Sequence, residues 1–349
     1  MITFFGTILT LSSTHWLMMW MGLEINLLGF IPLLMFQSSS SETEAGVKYF
    51  IFQAIGSSMI MTGSMMSFNL TMTWESLSQN PLMFLLIIMG LMIKLGSFPF
   101  HFWVPSVMAS LSWFSCMMIS TWQKLGPLFI LCSLIQYHNN MKIYILLFIL
   151  ASLSSLIGGI GGINQSQLRA IMAYSSIGHM GWMIFALIHN SSLMTIYFLI
   201  YVLITLTLFL IMWTLNMSSM NYSIFMSWKS NKSLKFLILT FLLSLGGLPP
   251  LLGFISKASV IFYSSKLSNP FLIIPLIIGS LLSLFYYLTL MFSMLLISSS
   301  KTTSLSLSYP TIYTYTSPLS TTYILIFSVL VNTLGSLIII LIFPLMNLM

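Results

Sequence analysis

The chain has 349 residues, 58% of them hydrophobic and only 4% charged, with a formal net charge of +7. A soluble domain carries roughly 25% charged residues, so the composition excludes one and points to an all-α polytopic membrane protein. The basic residues are few and scattered, which excludes a nucleic-acid surface and leaves them as topology signals.

A spanning helix needs about 20 apolar residues. Eleven segments meet that need, at 3–20, 22–37, 46–69, 81–109, 111–136, 142–160, 168–189, 192–215, 235–264, 271–297 and 320–346. The second is short, and its border with the first is weakly marked. Met1 to Trp20 lacks a basic n-region and runs straight into the next apolar stretch, so no cleavable signal is expected. Most connections are brief. Two are longer: 216–234 with Lys229 and Lys232, and a Ser/Thr/Tyr-rich stretch at 298–319 with Lys301, Pro310 and Pro318. The latter reads as a plain connector or a partner-binding surface.

The stretch Pro81–Pro127 holds the strongest chemical signal. Lys94 lies within an apolar run, just before a break at Gly96-Ser97-Phe98-Pro99. A second lysine, Lys124, stands just before Gly126-Pro127. Charge at membrane depth costs about 2.5–3.5 kcal/mol per residue on insertion scales, so retained lysines suggest a proton or ion pathway. The competing reading is that both snorkel to the interface. A second break comes at Gly246-Gly247-Leu248-Pro249-Pro250, followed by Lys257. The fourth and ninth segments are thus broken, five places apart in the segment order. An odd separation implies opposite orientation, and paired interrupted helices in inverted repeats mark transport pathways. The expected organisation is a single transmembrane domain, 1–349, with repeat one at about 1–137, repeat two at about 138–297 and an extra helix at about 320–346.

Loop charge gives an orientation. Lys48, Arg169, Lys229, Lys232, Lys235 and Lys301 fall on one side, against Lys142 and Lys266 on the other. The positive-inside rule then puts the N-terminus inside and the C-terminus outside.

The remaining polar residues divide into candidates and packing groups. Glu24 opens the second segment and is the only acid near membrane depth; Glu42, Glu44 and Glu75 fall in polar loops and read as solvated. A lysine in an apolar site loses its hold on a proton, and a nearby carboxylate restores it. Glu24 and Lys94 can therefore act as a switch. His179, mid-helix in Ser176-Ile177-Gly178-His179-Met180-Gly181, reads equally as a proton relay or a structural histidine. Ser175 and Ser176 supply hydroxyls for water or bond to backbone. His101, in Pro99-Phe100-His101-Phe102-Trp103, reads as packing, and His15 and His138 as interfacial. Cys116 and Cys132 lie in apolar surroundings and read as small core residues. No His/Cys/carboxylate group has metal spacing, and Gly158-Gly159-Ile160-Gly161-Gly162 reads as helix packing or termination.

A family resemblance joins these pieces. Met21-Gly22-Leu23-Glu24-Ile25-Asn26, Thr43-Glu44-Ala45 with Lys48-Tyr49-Phe50, Ile93-Lys94-Leu95-Gly96, Pro99-Phe100-His101-Phe102-Trp103-Val104-Pro105 and Thr121-Trp122-Gln123-Lys124 occur in order. Gly161-Gly162-Ile163-Asn164-Gln165, Leu168-Arg169, Ala173-Tyr174-Ser175-Ser176-Ile177, His179-Met180-Gly181-Trp182, Leu243-Ser244-Leu245-Gly246-Gly247-Leu248-Pro249-Pro250 and Gly253-Phe254 with Lys257 follow. This set resembles the chain 2 family of NADH:ubiquinone oxidoreductase, the mitochondrially encoded antiporter-like subunits of respiratory complex I. The abundance of methionine, 29 residues, suits a mitochondrial code that reads extra codons as Met. The resemblance covers about residues 16–257; the last quarter matches in hydropathy more than in motif.

The resemblance implies an eleven-helix antiporter-like inverted-repeat bundle with two broken helices. It implies that Glu24 pairs with Lys94, that Lys124 is a central relay and that Lys257 serves an exit branch. It further implies a proton-translocating subunit in the mitochondrial inner membrane, with its N-terminus in the matrix and its C-terminus in the intermembrane space. No redox centre or cofactor is expected in this chain; NADH, FMN, iron–sulfur clusters and ubiquinone would act elsewhere in the assembly. Expected partners are other membrane-arm subunits, neighbouring antiporter-like subunits among them, and lipids such as cardiolipin. Two departures stand out: Ser106 follows the Trp-x-Pro step where many relatives have an acid, and Ser110-Leu111-Ser112 replaces a turn that often has Gly and Pro. A stand-alone cation/proton antiporter and a non-pumping scaffold are the rival readings.

Overall fold

The computed structural model describes residues 1–36, 39–72, 81–137, 141–214, 232–265, 273–299 and 332. Every element among them is helical: α1 (Ile2–Ser12), α2 (Trp16–Leu34), α3 (Ser40–Thr71), α4 (Pro81–Leu95), α5 (Trp103–Ser110), α6 (Trp113–Ser120), α7 (Trp122–Tyr137), α8 (Met141–Ile163), α9 (Leu168–His189), α10 (Ser191–Thr214), α11 (Lys232–Gly246), α12 (Leu252–Ser265) and α13 (Ile274–Ser299). Six helical stretches among the described residues are long and apolar enough to cross a membrane. The expected segment 320–346, both longer connections' Lys229 and Lys301, and Glu75, His138 and Lys266 lie outside the described residues, Asn332 excepted.

The first border falls earlier than the apolar runs suggest. Ser13 takes an extended backbone, and α2 starts after His15. The polar run Ser12-Ser13-Thr14-His15 stops α1 after 11 residues. Glu24 therefore lies inside α2 instead of opening it. α1 and α2 pack through glycines: a Cβ on Gly6 would lie 2.6 Å from the Asn26 nitrogen, and one on Gly22 2.8 Å from the Thr10 nitrogen. In lipid, where helices gain nothing from hiding apolar surface, such close approach supplies the contact.

α3 also begins earlier than its apolar run. Ser39 accepts a hydrogen bond from the Glu42 backbone N–H at 3.3 Å, which caps the helix ahead of Val47. Glu42 is buried, contrary to its expected solvation. It stands in the first turn, where free backbone N–H groups favour a carboxylate. Glu44 is exposed as expected and pairs with Lys48 one turn on.

The segment expected at 111–136 is two helices, α6 and α7, with Thr121 between them. Pro127 sits inside α7. It has no N–H for the Gln123 carbonyl four residues earlier. The helix is interrupted further back, at Thr121 (φ −115°, ψ −70°), where the Lys124 N–H bonds three residues back, to the Thr121 carbonyl. The interruption lies three residues before Lys124.

The two expected breaks share one backbone pattern. In the first, the Gly96 and Ser97 N–H groups bond back to the Ile93 and Met92 carbonyls. In the second, Gly247 and Leu248 bond back to Ser244 and Leu243. Gly96 (φ 66°) and Gly247 (φ 83°) both adopt left-handed backbone, and a cis peptide follows each, at Phe98-Pro99 and Pro249-Pro250. Only glycine takes that conformation at low cost, which is why both apolar runs end there.

Close glycine packing also assembles the second half. Cβ atoms on Gly158 and Gly159 would fall 2.5 Å from the Gly178 nitrogen and 2.7 Å from the Gly279 oxygen. α8 is thus held between α9 and α13, and the glycine cluster serves packing. α5 packs on α9 and α6 on α10, joining the earlier helices to the later ones.

Candidate functional site

Lys94, Lys124 and Lys257 are all buried, with 5%, 3% and 7% of their surface exposed. That answers the snorkelling alternative, because an ammonium at an interface would be open to solvent in the chain. No contact ion pair to a carboxylate is formed by any of the three among the described residues.

Lys94 closes α4. Gly56 and Gly90 let α3 and α4 approach so closely that a Cβ on Gly90 would lie 2.7 Å from the Gly56 oxygen. The Lys94 stem runs beside Gly56. Its own carbonyl accepts from Gln53 Nε2 at 3.4 Å, and the Ile93 carbonyl accepts from Trp103 Nε1 at 3.0 Å. Neutral donors thus cap this end of the broken helix. Glu24, half-buried on α2, acts on Lys94 electrostatically but does not contact it as an ion pair.

Lys124 reaches from α7 to α9, where Nζ donates to the Ser176 carbonyl at 3.4 Å. Nζ also lies 5.5 Å from the centroid of the Tyr201 ring on α10. An aromatic face attracts a cation through its quadrupole, so Tyr201 favours the ammonium here. Ser175 and Ser176 donate their hydroxyl protons to backbone carbonyls one turn back, and their oxygens can still accept.

Lys257 caps the second break. Nζ donates to the Gly246 carbonyl at 2.9 Å and to the Leu245 carbonyl at 3.2 Å. These are carbonyls that the end of α11 leaves without helical partners, and a cation there also matches the helix dipole. Counted from Gly96 and Gly247, Ser106 holds in the first break the place of Lys257 in the second. Among the described residues Ser106 bonds its own helix and its N-cap, through the Trp103 and Phe102 carbonyls.

His179 is buried between the second and third lysines' helices, and its Nδ1 lies 2.9 Å from the Tyr197 hydroxyl. Its ring also faces Tyr201, with centroids 5.2 Å apart. A cavity of about 10 Å³ is lined by His179, Ser155, Ser175, Lys257, Ser280 and Ser283 among others. That volume holds about one water, and the lining offers the polar partners a water needs. Lys257, Trp182 and Ser280 also line a larger groove of about 480 Å³ between α12 and α13.

The other sequence candidates fall into place as packing groups. His101 bonds the Pro99 carbonyl and lies against Phe102 at 4.0 Å between centroids. Cys116 and Cys132 are buried and free. No cluster of three metal-ligating side chains occurs among the described residues. Sequence reasoning missed Tyr197, Tyr201 and Gln53. Their only signal was a polar atom within an apolar run.

The chain matches the family described as NADH:quinone oxidoreductase/Mrp antiporter, TM, over residues 13–285. It is 43% identical over 291 residues to NADH-ubiquinone oxidoreductase chain 2 of Dasypus novemcinctus, covering 82% of each chain. It is 42% identical over 289 residues to the chain 2 protein of Lumbricus terrestris, covering 82% of this chain and 83% of that one. Its fold matches a chain of respiratory complex I from Thermus thermophilus with a TM-score of 0.80 at 24% identity, covering 98% of this chain and 78% of that one. A chain of the Mrp complex from Dietzia has the same fold, with a TM-score of 0.70 at 16% identity over 85% of this chain and 58% of that one. The chain belongs to the NADH:quinone oxidoreductase/Mrp antiporter transmembrane family, among the relatives named NADH-ubiquinone oxidoreductase chain 2.

Proposed function

We propose that this chain is a proton-translocating subunit of the membrane arm of respiratory complex I, seated in the mitochondrial inner membrane. The observation that carries the reading is the set of three buried lysines, none in contact with a carboxylate among the described residues, each near a helix interruption or break. An ammonium held by carbonyls or an aromatic face alone can be emptied and refilled. One held by a buried carboxylate cannot be emptied so readily.

In this reading Glu24 governs Lys94, Lys124 relays, and Lys257 passes protons to an exit branch, with His179 between the last two. Moving a charge against 100 mV takes about 2.3 kcal/mol. A change of under two pKa units in a lysine, at about 1.36 kcal/mol each, supplies that. A Glu24–Lys94 switch of that size would suffice. The two matching breaks fit an inverted repeat with units near 1–137 and 138–297 and an added helix near 320–346. The N-terminus faces the matrix and the C-terminus the intermembrane space. The chain carries no cofactor; NADH, FMN, iron–sulfur clusters and ubiquinone belong to other subunits. Neighbouring antiporter-like subunits flank it, and cardiolipin lies among its lipids.

The test is a mild-detergent extract resolved on a native gel, stained for NADH dehydrogenase activity and followed by peptide mass spectrometry. The chain is expected only in the large active band. Migration alone, with cation-dependent proton flux in liposomes, would replace this reading with a stand-alone antiporter. An active complex whose lysine variants lose assembly but never coupling would mark a scaffold.

A further inference from the structure

His179 has two ring nitrogens, and only one is accounted for. Nδ1 meets the Tyr197 hydroxyl at 2.9 Å, and both side chains are buried, with 8% and 1% exposed. In a neutral imidazole one nitrogen carries the proton and the other its lone pair. What Nδ1 does therefore fixes what Nε2 can do.

The Tyr197 hydroxyl has a second neighbour. Ser256, beside Lys257 on α12, lies near enough to accept from it when the phenol O–H turns that way. Ser256 directs its own proton to the Gly253 carbonyl at 2.9 Å, which leaves its oxygen to accept. Tyr197 thus has a choice of acceptors. When its O–H points at His179, Nδ1 must be the bare nitrogen and Nε2 keeps the proton. When its O–H turns to Ser256, its oxygen faces Nδ1–H and Nε2 is left as an open base.

We propose that Tyr197 is a positioning residue for proton transfer at His179, holding Nδ1–H through its hydroxyl oxygen so that Nε2 takes and returns the proton. The inference rests on the function proposed above. The step balances simply. An N–H bond of the Lys124 ammonium breaks as one forms at Nε2, giving the imidazolium and a neutral Lys124 amine. The Nε2–H bond then breaks as the proton passes on to a neutral Lys257 amine. Nδ1–H stays with Tyr197 throughout, and the phenol remains neutral. The water-sized cavity against His179, Ser175 and Lys257 offers the next carrier. Geometry favours Tyr197 over Tyr201 for this task, because Tyr201 meets His179 ring to ring and Lys124 with its ring face, while the Tyr197 hydroxyl meets Nδ1.

The test uses the whole complex in sealed membrane vesicles, comparing native protein with Tyr197→Phe, Tyr197→His and Lys124→Met. Electron entry from NADH to an artificial acceptor serves as the measure of assembled complex. Tyr197→Phe keeps the ring and removes the hydroxyl. Its proton-coupled quinone reduction is expected to fall about tenfold, short of the hundredfold or more that follows loss of an acid–base group itself. Its solvent deuterium isotope effect is expected to rise. Tyr197→His restores a hydrogen-bonding atom and is expected to recover part of the rate. Native turnover and isotope effect in Tyr197→Phe, beside a defective Lys124→Met, would overturn the inference alone. Native coupling in Lys124→Met would overturn the proposed function with it. Failure of both Tyr197 variants to assemble would make Tyr197 a packing residue and also overturn the inference.

Discussion

The Lys257 ammonium lies 2.9 Å from the Gly246 carbonyl oxygen, so the end of α11 is capped by a group that can lose its proton. The matching end of α4 is capped by Trp103 and Gln53, which cannot. The two breaks are alike in backbone and unlike in what holds them. Proton transfer at Lys257 is therefore tied to the shape of the second break.

Lys257→Gln removes that cation while keeping a donor of shorter reach. Amide exchange in peptides over 243–254 is expected to speed up several-fold, and exchange over 92–103 to stay as in the native complex. Charged hydrogen bonds contribute about 1.5–3 kcal/mol, against about 1 kcal/mol for neutral ones. Equal exchange over both breaks would show that the ammonium does not hold α11.

Trp103→Phe tests the first break in the same terms. It deletes one donor, leaving the Ile93 carbonyl with its indole partner gone at a buried position. The Ile93 carbonyl keeps the Gly96 N–H, so the cost expected is that of one hydrogen bond, about 0.5–1.5 kcal/mol. Thermal inactivation of the assembled complex should come at lower temperature, with coupling per turnover unchanged. A loss of coupling without a loss of stability would count against a purely structural role.

Glycine contacts separate close packing from loose packing. A Cβ on Gly253 would fall 1.7 Å from the Ser244 backbone oxygen, where the two halves of the second break meet. A Cβ on Gly46 would meet only the flexible Met35 side chain, at 3.3 Å. Gly253→Ala is expected to abolish assembly and Gly46→Ala to leave it intact. Native gels of the two variants decide this.

Lys94→Met removes the group that Glu24 governs. Assembly is expected to persist, because an apolar side chain is readily buried there. Coupled turnover is expected to fall about a hundredfold, the lower range for a lost proton-transfer group. A normal ratio of protons moved to electrons transferred would remove Lys94 from the pathway.

The sequence by itself determined the class of protein, the two breaks and the three lysines. The reason is local: an apolar run, a glycine that must take positive φ, and a charge the bilayer penalises each show within a few residues. Even so, local reading misplaced the α1–α2 border, because the polar run at 12–15 is short beside the apolar stretches around it. It also missed the interruption at Thr121, which no glycine or proline adjoins.

Only the tertiary structure decided what each lysine touches. Lys124 meets Ser176 and Tyr201, residues far along the chain on α9 and α10. His179 meets Tyr197 on the next helix. Helices that are apolar nearly all round carry no stripe to say which side faces which neighbour. That choice is made by close backbone approach at glycines such as Gly90 and Gly158, and it becomes visible only when the helices are packed.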